Sequence, residues 1–184
     1  MNNVFFTSDN HFGHARIIEY CNRPFKHVDE MNEAMIANWN NKIDPEDTVY
    51  HIGDFAMDKN PSKFLYRLNG QKFLIKGNHD GKPRKEDGWA GIWDYREIRV
   101  ENQFIVLCHY ALRVWNKSHY GSWNLFGHSH GSLPDDPTVL SIDVGVDCHD
   151  YTPISFEEIK EIMDRKTPKS DARNRGKNHK PKNL

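Results

Sequence analysis

Cysteine is scarce in this chain of 184 residues, with only Cys21, Cys108 and Cys148, widely spaced. An odd, scattered set excludes a disulfide framework, and the expectation is reduced, buried thiols in a cytoplasmic protein. No apolar run approaches the roughly 20 residues that cross a membrane. The start MNNVFFTSDN has no basic leader and no long apolar stretch, so neither a signal peptide nor membrane association is expected. No internal repeat is found. Net charge is also nearly absent, at −1, but it is unevenly spread. Residues 166–184 hold seven Lys or Arg and one acid, and no aliphatic residue larger than Ala172 before Leu184; that stretch is +6 and the rest of the chain −7. The expected division is a single domain over 1–165 and a disordered basic tail over 166–184. The tail reads as a solvated, solubilising segment, with contact to nucleic acid as the alternative.

What is abundant is histidine, eleven in all, the side chain that titrates near neutrality and most often binds metals. Their placement follows the predicted elements. Short apolar, β-branched and aromatic runs read as strands: 4–8, 47–53, 71–76, 95–100, 103–109, 123–127 and 139–146, with a hairpin turn at Glu101 and Asn102. Helices are expected at 14–21, at 28–43 with Asp29 as cap, at 61–69 after Pro61, and at 155–165, where Ser155 and Glu158 form a capping box. Residues 80–91 read as a long loop. Strands and helices interleave early and strands dominate later, which favours a layered α/β fold with mixed sheets.

Polar clusters stand where the strands end. Asp9-Asn10-His11 follows the first, Asp54 the second, Asn78-His79-Asp80 the third, His109 ends the fifth, and His128-Ser129-His130 follows the sixth. In open α/β sheets, ligands bind outside the carboxyl ends of strands. Each cluster alone has a structural explanation: GD and GNHD as turns, DNH as a cap, CHY as a satisfied histidine. Five independent turns would not all choose nitrogen and oxygen ligands. Seven donors, Asp9, His11, Asp54, Asn78, His109, His128 and His130, exceed the needs of one ion and suit two that share a bridging carboxylate. Imidazole, carboxylate and amide favour divalent manganese first, with iron, zinc, nickel or cobalt as alternatives. Two such ions polarise a phosphoryl group and acidify a bridging water.

The ordered set DNH, GDF, GNHD, H and GHSH resembles the calcineurin-like metallophosphoesterase family, with the motifs spanning 9–130 and the strand pattern about 4–163. The ending YTPISFEEI is similar to the last strand and helix of small members. The resemblance implies a four-layer αββα sandwich. Asp9, His11 and His130 would hold one metal, Asn78, His109 and His128 the other, and Asp54 would bridge. His79 would protonate the leaving oxygen or contact the phosphate, and Asp80 would orient His79. Two departures stand out: Asp58 comes four residues after Asp54 instead of three, and CHYAL lacks a nearby Gly or Pro.

Further positions carry two readings. His14 could reach the phosphate or face solvent, and His51 reads as packing within a strand. Arg113, Trp115, His119, Tyr120 and Trp123 could line a nucleotide site or supply core and loop. Lys82, Arg84 and Lys85 could draw in anions or form a solvated loop. The expected function is hydrolysis of small phosphodiesters or phosphomonoesters, nucleotides included, by in-line attack of a metal-bridging hydroxide at an open site. The alternatives are a nuclease acting on single-stranded nucleic acid, which salt-sensitive binding would reveal, and a non-catalytic binding scaffold, against which all seven ligands and His79 speak. Oligomeric state is not legible in the sequence.

Overall fold

A computed structural model describes residues 2–168. The strands β1 (Val4–Thr7), β2 (Thr48–His51), β3 (Gln71–Ile75) and β4 (Gly91–Trp93) run parallel as neighbours. The pair β9 (Ile154–Ser155) closes this five-stranded sheet antiparallel to β1. A second, four-stranded sheet holds β5 (Tyr95–Val100) and β6 (Gln103–Cys108) as an antiparallel hairpin, followed by β7 (Trp123–Phe126) and β8 (Ser141–Asp143) in parallel. The hairpin turns at Glu101, whose φ of 51° is the left-handed geometry such a turn demands. The fold is thus an α/β sandwich of two mixed sheets.

Alternation along the strands decides what packs where. Phe5, Val49 and Leu74 point outward from the first sheet, onto Met31, Met35 and Trp39 of α2 (Val28–Lys42). The short helices α1 (Ile17–Tyr20) and α3 (Ser62–Leu65) add Ile17, Phe64 and Leu65 to this layer. Phe6, Ile52 and Ile75 point the other way, onto Ile105, Leu107 and Leu125 of the second sheet. The last helix α4 (Phe156–Asp164) feeds Phe156, Ile159 and Met163 into this inter-sheet core. Strands buried on both faces must be apolar throughout, which is why β1 to β3 read as continuous runs.

Several expectations needed adjustment. Asp29 does not cap α2; the cap position is His27, with no side-chain bond, and Asp29 lies in the first turn, where it faces the positive end of the helix dipole. The expected helix over 14–21 is a single turn. The long loop ends early, because Gly91–Trp93 forms β4, too short and too close to charged residues to stand out. The thiols are free but not buried: Cys21 and Cys108 are half-buried and Cys148 is exposed on a surface 3-10 turn, Val146–Cys148. Lys166, placed with the tail by composition, is buried, and its ammonium bonds Asp135 and the Ser141 carbonyl. The rest of the tail, 169–184, lies outside the described residues. Among the described residues no helix is long and apolar enough to cross a membrane.

Candidate metal centre

Both sheets bring strand ends to one edge, tied there by a parallel bridge between Ser8 and Gly145. Asp9, His11, Asp54, His128 and His130 all have positive φ, between 47° and 69°. Left-handed backbone costs a non-glycine residue on the order of 1–2 kcal/mol, and such strain concentrates at functional sites. Five of the seven candidate ligands therefore join the cluster at a conformational cost, four of them at least partly buried and His128 exposed. Two glycines make room. A Cβ on Gly77 would strike the Asp54 carboxylate, and one on Gly127 would strike Ser8 and the Asp9 carboxylate.

Two donor groups result. The ligand atoms of Asp9, His11 and His130 lie within 4.8 Å of one another, and so do those of Asp54, His109 and His128. Asp54 Oδ2 stands between them, 3.6 Å from His11 Nε2 and 3.5 Å from His109 Nε2. Asn78 Oδ1 joins the second group, 3.1 Å from His109 Nε2. His79 is exposed, its ring edge-on to His11 with centroids 5.4 Å apart. His14 also packs on His11, centroids 5.5 Å apart, with a buried Nδ1 that has no partner. Arg113 is exposed on the segment between β6 and β7, and no bond among the described residues brings it to the cluster.

The carboxyl of Asp80 does not orient His79. Its two oxygens accept from the backbone N–H groups of Asp54, Phe55 and Gly77, at 2.7–2.9 Å. It locks the third strand end onto the second, since the loop amides have no strand partner and need an acceptor. Asp58 pairs with Lys63 outside the cluster. His51 is a core residue as expected, fully buried, with Nε2 2.9 Å from Asn10 Oδ1, and burial holds it down to about 3. Trp123 is core, while Trp115 binds Ser122.

The electrostatics are unbalanced. Asp9 Oδ1 and both ring nitrogens of His11 are buried without a hydrogen-bond partner. Burial raises Asp9 to about 6 against the pull of His130 and His109, and lowers His11 to about 3. Burial would raise Asp54 too, yet His109 and the His79 N–H bring it down to about 2. The outer nitrogens of two histidines are already committed. His109 Nδ1 donates to the Ile52 carbonyl at 2.8 Å, and His130 Nδ1 to Asp147 Oδ2 at 2.7 Å. Each Nε2 thus turns its lone pair towards carboxylate or amide oxygens. Lone pairs converging on lone pairs, with orphaned buried donors among them, are a fit for bound cations.

Arg23 and Asp147 escaped the sequence reading. Buried Arg23 grips both Asp147 oxygens at 2.8 Å and the carbonyls of Asp9 and Asn10 at 2.7 and 3.0 Å. Asp147 follows β8 at the same edge as the other clusters, so extending the strand-end rule by one strand would have found it. Arg23 has no such signal, because nothing in NRPF distinguishes a buried arginine from a solvated one.

No protein-family model matches the chain. An uncharacterized protein of Methanocaldococcus jannaschii is 35% identical over 174 residues, covering 90% of this chain and 93% of its own length. The crystal structure of an Aquifex aeolicus protein of unknown function superimposes with a TM-score of 0.70 at 25% identity, covering 88% of this chain and all of that one. An archaeal phosphodiesterase overlaps at a TM-score of 0.49 and 19% identity, over 78% of this chain and 83% of its own. Identity at that level across nine-tenths of both chains places the protein in one family with the Methanocaldococcus protein.

Proposed function

We propose that the protein is a phosphoesterase that works with two divalent cations, manganese first among the candidates. The observation that carries this reading is the pair of buried, unpartnered atoms Asp9 Oδ1 and His11 Nε2, with a second carboxylate, Asp54, that faces both His11 and His109. Asp9, His11 and His130 would hold one cation, Asn78, His109 and His128 the other, and Asp54 would serve both. Such cations neutralise phosphoryl oxygens and acidify water near neutral pH. The chain's own groups do the rest. The Ile52 carbonyl and Asp147 fix His109 and His130 in the tautomer that leaves Nε2 free to bind. Exposed His79 would hand a proton to the leaving oxygen, and His14, which also packs on His11, would bond a phosphoryl oxygen. Asp80 holds the His79 loop by its backbone.

The test is chelation followed by elemental analysis and assays on bis-p-nitrophenyl phosphate and p-nitrophenyl phosphate. About two cations per chain are expected in the reconstituted protein, with hydrolysis lost on chelation and restored by manganese. Undiminished activity in a sample shown to be metal-free would sink this reading.

A further inference from the structure

A cavity of about 610 Å³ opens along the second sheet, walled by Phe126, Leu133, Pro134, Val139 and Ile142. A second, of about 440 Å³, shares Ala111 and Leu133 with it and reaches Tyr110 and His128. The two make one groove that starts at a candidate cation ligand. At its mouth the Tyr110 ring, 47% exposed, stands edge-on to His128 with centroids 4.8 Å apart. The ring also packs edge-on to His109, centroids 5.1 Å apart, and leaves its other half exposed at the rim of the apolar groove.

We propose that this groove is the subsite for the organic group of the ester, and that it selects a planar, uncharged ring system such as a nucleobase or an aryl group. The proposal rests on the phosphoesterase reading above. Three features support it. The groove is continuous with the His128 side of the cluster, so a phosphoryl group held there would direct a substituent along it. Its walls are apolar and its mouth aromatic, which suits the face of a ring, and its size is that of small-molecule sites. The third feature is charge. No lysine or arginine is among the described residues lining either cavity, and at the far end Asp135 is already paired with the buried Lys166. The lining therefore offers a polyphosphate, a second phosphate group or a nucleic-acid backbone no lysine or arginine to pair with.

Phenylphosphonate and methylphosphonate test this, because they share a headgroup, differ in the ring and are not hydrolysed as esters. Their binding to the manganese-loaded protein is measured by calorimetry, with metal content determined in parallel. The native chain should bind phenylphosphonate about tenfold more tightly, the worth of one buried ring face. Leu133→Asp, at a site 47% exposed where a charge is tolerated by the fold, should bring that ratio close to one while leaving methylphosphonate affinity and metal content unchanged. Tyr110→Ala should lower the ratio less. Equal binding of the two phosphonates by the native chain, or a ratio that survives both substitutions, overturns the subsite. If neither phosphonate binds a chain carrying its cations, the phosphoesterase reading itself falls, and the subsite with it.

Discussion

Asp54 faces two donor groups with one oxygen while its other oxygen accepts the His79 N–H at 2.8 Å. Removing its charge should weaken both cation sites together: Asp54→Asn is expected to lower metal content well below two per chain and the rate with it, read by elemental analysis and steady-state kinetics. His79→Gln should behave differently. Metal content should stay near two and kcat fall on the order of 10²–10⁴, less on p-nitrophenyl esters, whose leaving oxygen hardly needs a proton, than on alkyl or nucleoside esters. Equal slowing on both would make His79 a phosphate-positioning group. Asp9 gives a pH dependence. Burial keeps its proton up to about pH 6, above the ordinary carboxyl range, so the metal-free fold loses stability as pH rises through that value and the buried group must ionise. Protons and cations compete for the same carboxylate, so metal affinity should fall as pH drops through 6. The gain in melting temperature on adding manganese should be larger at pH 8 than at pH 5.5. These residues were legible because polar groups interrupt apolar runs at the same structural position five times. The role of Asp80 was not legible, since a carboxylate that binds a neighbouring histidine and one that binds three backbone amides have the same sequence.

Among the elements, α4 follows its sequence most closely. Ser155 Oγ accepts from the Glu158 N–H at 3.2 Å, and Glu158 Oε2 accepts from the Ser155 N–H at 2.7 Å, the reciprocal pair expected of a capping box. Ser155→Ala should cost about 1 kcal/mol and lower the melting temperature by about 2–4 °C for a chain of this length, with metal content and activity unchanged. A larger loss would mean that β9, to which Ser155 also belongs, is held by this residue as well. Most of the longer strands were readable because a buried face gives them a matching pattern, and β5, which has no buried residue, was readable from its β-branched and aromatic residues. β4 was not, because three residues, Gly91, Ile92 and Trp93, give no period, and it exists only because β3 offers it an edge. The positive φ values at Asp9, His11, Asp54, His128 and His130 were equally invisible, since composition marks a turn at glycine and these residues adopt the conformation without one.

For the molecule as a whole, composition placed the domain boundary after Arg165, and packing moves it. Lys166 is buried against Asp135 and the Ser141 carbonyl, and the Thr167 N–H donates to the Pro137 carbonyl at 2.8 Å. A chain ending at Pro168 should match the full chain in melting temperature and in activity on a chromogenic ester. A chain ending at Arg165 should melt lower, by the equivalent of about 1 kcal/mol for the Ser141 carbonyl left without its partner, since water replaces the ammonium at the exposed Asp135. A charge count cannot separate a lysine that anchors a loop from one that only dissolves the chain. The Arg23 guanidinium has a wider consequence. It fastens the first strand end to Asp147, 124 residues further along, and through Asp147 to His130. A nascent chain therefore displays Asp9 and His11 long before the residues that complete their surroundings have been synthesised. On the proposed two-cation reading, capture in the final geometry would wait until the eighth strand has been made and docked, so loading would belong to the finished protein and not to the growing one.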